Sequence, residues 1–183
     1  MAKKKAPLPR SLKLKSLAGG APCGNPLGFT MQHQEQTQWC WAAVSVSINR
    51  FYHPASGQTQ CAVANVAMGQ TTCCQNGGSA QCNQPWFLDQ ALQMVNDLNA
   101  WSPGKAAFAK VRNEIDNCRP LCLRIGWNGC GGHFVTAYGY ATQPNQRMNV
   151  ADPWYGNSVV RYNLFPSGYQ GGGSWTDSYT TRA

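Results

Sequence analysis

Acidic side chains are scarce in this chain, seven Asp and Glu in 183 residues, and charged residues of both signs reach only 12%. That is about half the share of an ordinary soluble domain. Surface polarity is left to Gln, Asn, Ser, Thr and 19 glycines, an extracellular style of surface. No stretch approaches the roughly 18 apolar residues of a membrane-spanning helix, which sets a membrane span aside. The N-terminal lysines lead into no apolar core of a signal peptide, because the stretch Ser16–Pro22 is too short and too mixed. Export is therefore expected by another route, or after loss of a leader. There is no internal repeat. Histidine is scarcer still, with only His33, His53 and His133, so a catalytic base can be sought by elimination.

What is present is enough chain for one domain with a sizeable core. The net charge of +8 is concentrated at one end: Lys3, Lys4, Lys5, Arg10, Lys13 and Lys15 lie in the first fifteen positions, leaving nine basic against seven acidic groups beyond them. We read residues 1–30 as a basic, Gly/Pro-containing flexible arm and 31–183 as the folded domain. Such an arm is more often a solvated tail than a nucleic-acid or membrane contact, and nucleic acid is not expected as a partner.

Nine cysteines are an odd count. One kept as a free thiol leaves enough for up to four bridges, in a compartment expected to be oxidising. Cys61, Cys73, Cys74 and Cys82 cluster in a Gly/Ser/Asn/Gln-rich stretch read as a stapled loop. The adjacent Cys73 and Cys74 suit bridges to two different partners better than a zinc knuckle. Cys118, Cys122 and Cys130 have no partner legible in the sequence, and with His133 they form a rival zinc set.

Hydrophobic periodicity predicts a helix from Trp39 to about Tyr52, uncharged between Glu35 and Arg50 and so buried on most sides. Pro85 is expected to open a second helix, with Trp86, Leu88, Ala91, Leu92 and Val95 at helical spacing. A third spans about Ala106 to Asn117. Leu121–Trp127, His133–Ala141, Met148–Ala151, Ser158–Tyr162 and Ser174–Tyr179 read as strands separated by Gly, Asn and Pro turns. Helices first and strands second predict an α+β fold with a cleft between the halves.

Three segments carry chemistry. In QEQTQWCWAAV, Cys40 stands between two tryptophans at a helix start, where free N–H groups and the positive dipole end favour a negatively charged sulfur. His133 opens an apolar strand in GGHFVTAYGY, and Asp152 ends one in NVADPWYG. A thiol, an imidazole and a carboxylate are the parts of a cysteine nucleophile, its base and the group that orients the base. His53 lies thirteen residues beyond Cys40 on one helix, about 20 Å away at ~1.5 Å per residue. His33, on the approach to the helix, remains open. Among the acids, Asp89, Asp97, Glu114 and Asp116 fall on helical stretches, Glu35 neighbours a helix start and Asp177 is near the end of the chain. Asp152 precedes Pro153-Trp154, where it either initiates a turn or accepts the imidazole Nδ1–H under the cover of Trp154.

With these residues the chain resembles the papain-like cysteine proteases, and within them the compact bacterial branch that includes avirulence proteases of plant pathogens. The likeness runs from about Met31 to Tyr179. Cys40-Trp41 matches the nucleophile and its following aromatic, His133 the histidine strand, Asp152 the third member and Trp154 the shielding tryptophan. It further implies that Gln34, six residues before Cys40, supplies a side-chain donor to the oxyanion hole, with Gln36 and Gln38 as competitors. The Cys-Gly-Ser-Cys run of the plant enzymes and a cathepsin-like propeptide are absent.

The resemblance implies a papain-like fold, a central nucleophile helix packed on an antiparallel sheet. It implies peptide-bond hydrolysis through a thioester, with no metal or other cofactor. Expected partners are a protein or peptide substrate and a protein inhibitor or immunity protein, and the expected location is outside the producing cell, as a secreted or delivered effector or toxin. Transglutaminase, deamidase or deubiquitinase-like acyl transfer uses the same three residues, and a catalytically inactive binding module is a reading from another class. Because some relatives cut after a double glycine, self-cleavage after Gly20 is weighed against a plain flexible linker.

Overall fold

The computed structural model describes residues 23–183. The basic stretch before Cys23 and the Gly19-Gly20 pair lie outside the described residues. Five helical and strand segments precede Leu121 and five strands follow. The helices are α1 (Cys40–Tyr52), α2 (Gln60–Met68), α3 (Leu88–Met94) and α4 (Phe108–Asp116). The strands are β1 (Leu98–Pro103), β2 (Leu121–Trp127), β3 (Gly132–Ala141), β4 (Arg147–Asp152), β5 (Gly156–Arg161) and β6 (Gly173–Thr181).

All six strands form one antiparallel sheet in the order β1-β6-β2-β3-β4-β5. The mixed helical and antiparallel architecture expected from the sequence is therefore present. The final strand runs between β1 and β2, so the end of the chain joins β1, from the first half of the sequence, to the later strands.

α1 is the central helix. Its residues from Cys40 to Asn49 are all buried, and it packs on β3, α2 and α3. The uncharged run noted in the sequence is what permits this. Two serines inside it stay satisfied: Ser45 donates to Ala42 O (3.0 Å) and Ser47 to Ala43 O (2.6 Å).

Several boundaries differ from the sequence reading. The stapled loop contains α2, capped by Thr59, whose side chain accepts Ala62 N–H, and ended by Gly69 at φ 61°. The second expected helix begins at Leu88, not Pro85, because Phe87 is extended and Trp86-Phe87 are spent on lining a cleft. β1 was not anticipated. Its residues are mostly exposed, so it lacks the alternation that marks a half-buried strand.

Residues 23–30, expected within the flexible arm, are part of the body. Leu27 and Phe29 are buried. Leu27 N–H donates to Tyr138 O at 2.8 Å, and Asn25 exchanges hydrogen bonds with the Tyr140 backbone. β2 begins at Leu121, opposite Ala137, so the backbone of β3 beyond that point has no β2 partner and is open to residues 23–30. Gly139 permits the approach, since a Cβ there would lie 2.6 Å from Pro26 Cβ.

Of the possible four bridges the structure forms three: Cys23–Cys118, Cys61–Cys74 and Cys73–Cys82. Cys73 and Cys74 do take different partners. Cys40, Cys122 and Cys130 are free thiols.

Candidate active site

Cys40 is the first residue of α1, and the flanking tryptophans fix where that helix begins. Trp39 Nε1 donates to Cys82 O (2.8 Å) and Trp41 Nε1 to Gln84 O (3.0 Å). Gln38 N–H donates to Asn83 Oδ1 and Asn83 Nδ2 to Thr37 Oγ1. The loop receiving these bonds is tied down by the Cys73–Cys82 bridge. The cysteine-rich stretch thus acts as a brace for the start of α1. The first intrahelical acceptor bond is Ala43 N–H to Trp39 O, so the N–H groups of the preceding turn face forward without helical partners.

His133 lies on β3 and Asp152 at the end of β4. Thr136 pairs with Ala151, and one further antiparallel step sets Asp152 beside Val135. Alternation then puts His133, Val135 and Asp152 on one face, with the first and last as diagonal neighbours. The side chains meet accordingly: His133 Nε2 lies 2.7 Å from Asp152 Oδ1. The nitrogen used is Nε2, not the Nδ1 expected from the sequence. Cys40 lies close enough to the ring to raise its proton affinity as well. The three residues are brought together although Cys40 and Asp152 are far apart in sequence.

Burial by itself would push the His133 imidazole down. The hydrogen bond to Asp152, the proximity of Cys40 and the charges of both outweigh it and lift the group to about 9. Asp152 shows the complementary balance: burial raises it, but the His133 bond and charge and two backbone N–H donors bring it below the usual carboxylate range. Those donors are Trp154 N–H (2.7 Å) and Tyr155 N–H (3.0 Å), both on Oδ1. Asp152 therefore initiates a turn and holds the histidine at once, two roles that the sequence set as alternatives. Its Oδ2 accepts the Tyr169 phenol at 2.8 Å.

The Trp154 ring does not occupy the covering position expected for it. It is 44% exposed and stacks on His33, so its contribution to Asp152 is its backbone N–H. Trp127 of β2 instead stacks on His133 at 5.9 Å and 19°, with Tyr155 edge-on. Neither Trp127 nor Tyr169 was picked out in the sequence. Trp127 ends the strand that pairs with β3, which is the only sequence signal for it.

His33 is exposed on the Trp154 ring. His53 caps the far end of α1 and pairs with Asp97 at 3.2 Å. The rival zinc set is broken, since Cys118 is bridged to Cys23 and Cys122 is fully buried. Among the described residues no group of three or more His, Cys, Asp or Glu could hold a metal ion.

Gln34 is buried just before α1, and its backbone N–H donates to Pro153 O at 2.9 Å, linking this loop to the Asp152 turn. Its Nε2 donates to Gln36 O (2.8 Å) and Thr37 O (3.0 Å), while Oε1 is buried without a partner. Both amide hydrogens are engaged by the loop.

Cys40 opens onto a cleft of about 550 Å³ whose lining includes Trp86, Phe87, Trp101, Phe134, Tyr179 and the backbone of Gly131-Gly132. It is mainly apolar and rich in aromatic side chains, and its lining also includes Arg124, Asp89 and Asp177.

A family model described as papain-like cysteine protease AvrRpt2 matches residues 25–169. The chain belongs to that family. It is a papain-like cysteine protease of mixed helix and antiparallel sheet. Among solved structures it is similar to a double glycine motif protease from an AMS/PCAT transporter, in complex with the leader peptide. That match has 16% identity and a TM-score of 0.52, covering 88% of this chain and 98% of the other. Pseudomonas avirulence protein AvrPphB aligns at 10% identity and a TM-score of 0.40, covering 85% and 98%. No curated protein sequence gives a significant match. The family match starts two residues after Cys23, in agreement with the packing of residues 25–30.

Proposed function

We propose that this protease hydrolyses peptide bonds with Cys40 as nucleophile, His133 as general acid and base, and Asp152 as the group that orients the imidazole. The observation that carries the reading is the 2.7 Å His133–Asp152 bond on the strand face that meets Cys40. The sulfur, as thiolate beside imidazolium, adds to the scissile carbonyl carbon, and the carbonyl π pair moves to oxygen. The oxyanion is met by the Cys40 N–H at the helix start and by the Gln34 amide. For Gln34 to serve, one of its loop bonds yields as substrate enters. Collapse of the adduct expels the amine, which takes its proton from His133. Water then adds to the thioester as His133 takes its proton, and collapse releases the acid and restores the thiolate beside the imidazolium.

The aromatic cleft beside Cys40 suits an apolar side chain flanking the cut, and a peptide lying along it is the substrate class we assign. Any inhibitor protein would have to cover the same cleft. Three disulfides and a surface poor in charge support function outside the producing cell, as a secreted or delivered effector.

Peptide-library cleavage by the wild type beside Cys40→Ala is the test. Cleavage at defined bonds by the first and none by the second is expected. Turnover retained by Cys40→Ala contradicts the assignment, and ammonia release from glutamine without chain cleavage would move the activity to deamidation.

A further inference from the structure

The third member of the proposed triad has a partner of its own. Asp152 is 2% exposed, and its two carboxylate oxygens are served unequally. Oδ1 accepts from His133 and from the N–H groups of Trp154 and Tyr155. Oδ2 accepts from the Tyr169 hydroxyl. A carboxylate oxygen left without a donor in so buried a place is costly.

Tyr169 is held to meet it. It lies in the turn-rich segment between β5 and β6, where its N–H donates to Pro166 O (2.9 Å) and its carbonyl accepts Gly172 N–H (2.8 Å). Its ring packs edge-on against Phe165 at 5.2 Å. Lys105 clamps the same segment by donating to Phe165 O (2.9 Å) and Tyr162 O, with its ammonium over the Tyr162 ring. Burial, and then the negative charge of Asp152, push the phenol well above its ordinary range. It stays protonated and acts as a donor.

We propose that Tyr169 is a positioning residue for the acyl-transfer reaction: its hydroxyl fixes Asp152 Oδ2 and moderates the pull of that carboxylate on His133. The proposal rests on the triad reading above. A neutral donor draws negative charge toward Oδ2, which makes Oδ1 a weaker acceptor for the imidazolium. His133 then gives its proton to the leaving amine more readily. The titratable groups facing this pair are Cys40 from α1, Asp152 from β4, Tyr155 from the turn after β4 and Tyr169 itself. Trp127 from β2 is neutral.

The test uses a peptide cut by the wild type, with kcat, KM and the pH profile measured for Tyr169→Phe, which keeps the ring and removes the donor. The expected loss in kcat is about 10–100-fold, the range for partners that orient a reacting group. KM should stay within about twofold, and the alkaline limb should move to higher pH. Replacing Tyr169 with 3-fluorotyrosine, a stronger donor, should move that limb to lower pH. A side chain that merely fills space would leave the limb fixed in both variants. If Tyr169→Phe matches the wild type in kcat and alkaline limb while Asp152→Asn is slow, the proposal fails and the triad stands. If Tyr169→Phe does not fold, an unmoved limb in the fluorotyrosine protein overturns it. Turnover retained by Cys40→Ala would instead remove the reading beneath it.

Discussion

At His133, two opposed effects act on one proton. Burial disfavours the imidazolium, whereas Asp152 and Cys40 favour it and prevail, holding the group near 9. The protonated ring is therefore present below about 9 and lost above it, so kcat/KM should fall through an alkaline limb near that pH, a value shared by the coupled groups. Asp152→Asn removes the charge that sustains the imidazolium. A pH-rate profile should show its alkaline limb displaced downward and kcat reduced, while a limb that stays in place would mean Asp152 does not act on His133. Gln34→Ala should cost roughly 10²–10³ in kcat if its amide serves the oxyanion. Single-turnover rates check this, and a loss below about threefold would confine Gln34 to bracing the loop through Gln36 and Thr37. At this scale the pairing of His133 with Asp152 was legible because few histidines and acids competed for it. Trp127 and Tyr169 were not, since nothing in a strand-end tryptophan or a loop tyrosine announces which ring or carboxylate it will meet.

Among elements, the start of α1 depends on groups far along the chain. Trp39→Phe keeps an aromatic ring but leaves Cys82 O without its indole donor, at a cost of about 1–3 kcal/mol, and the smaller ring adds a void in a fully buried site. Denaturant titration should show that loss together with slower acylation of Cys40, because the brace sets where the helix begins. Gly139→Ala tests the docking of residues 23–30 on β3. A methyl at 2.6 Å from Pro26 Cβ and 2.8 Å from Asn149 Oδ1 forces overpacking worth about 1–3 kcal/mol. Hydrogen exchange should show faster exchange at Leu27 and Tyr140, and unchanged exchange there would mean the segment is not held by this contact. The later strands were readable from alternation and turn residues, and their limits agree within a few positions. α2 escaped because its glycine and polar neighbours look like loop, although Thr59 and Gly69 are ordinary helix-end signals. The docked segment escaped because its Gly and Pro content reads as linker, whereas its pairing depends on β3, far down the chain, running past the start of β2.

For the whole molecule, the bridge from Cys23 to Cys118 spans 95 positions and joins the start of the described chain to the turn before β2. Replacing both cysteines with serine should cost about 2–5 kcal/mol. Calorimetry would show it as a lower Tm with catalysis retained at low temperature. The larger property of the fold is that it places a nearly buried sulfur between the two halves and leaves another thiol in the open. Cys40 is 8% exposed, whereas Cys130 is exposed on the turn before β3. Accessibility alone makes Cys130 the faster target of an alkylating reagent, while a sulfur paired with His133 reverses that order. Peptide mapping after brief iodoacetamide treatment at neutral pH compares the two directly. A working triad requires Cys40 to be modified first, and His133→Ala to abolish its lead. Modification of Cys130 with Cys40 left untouched would contradict it.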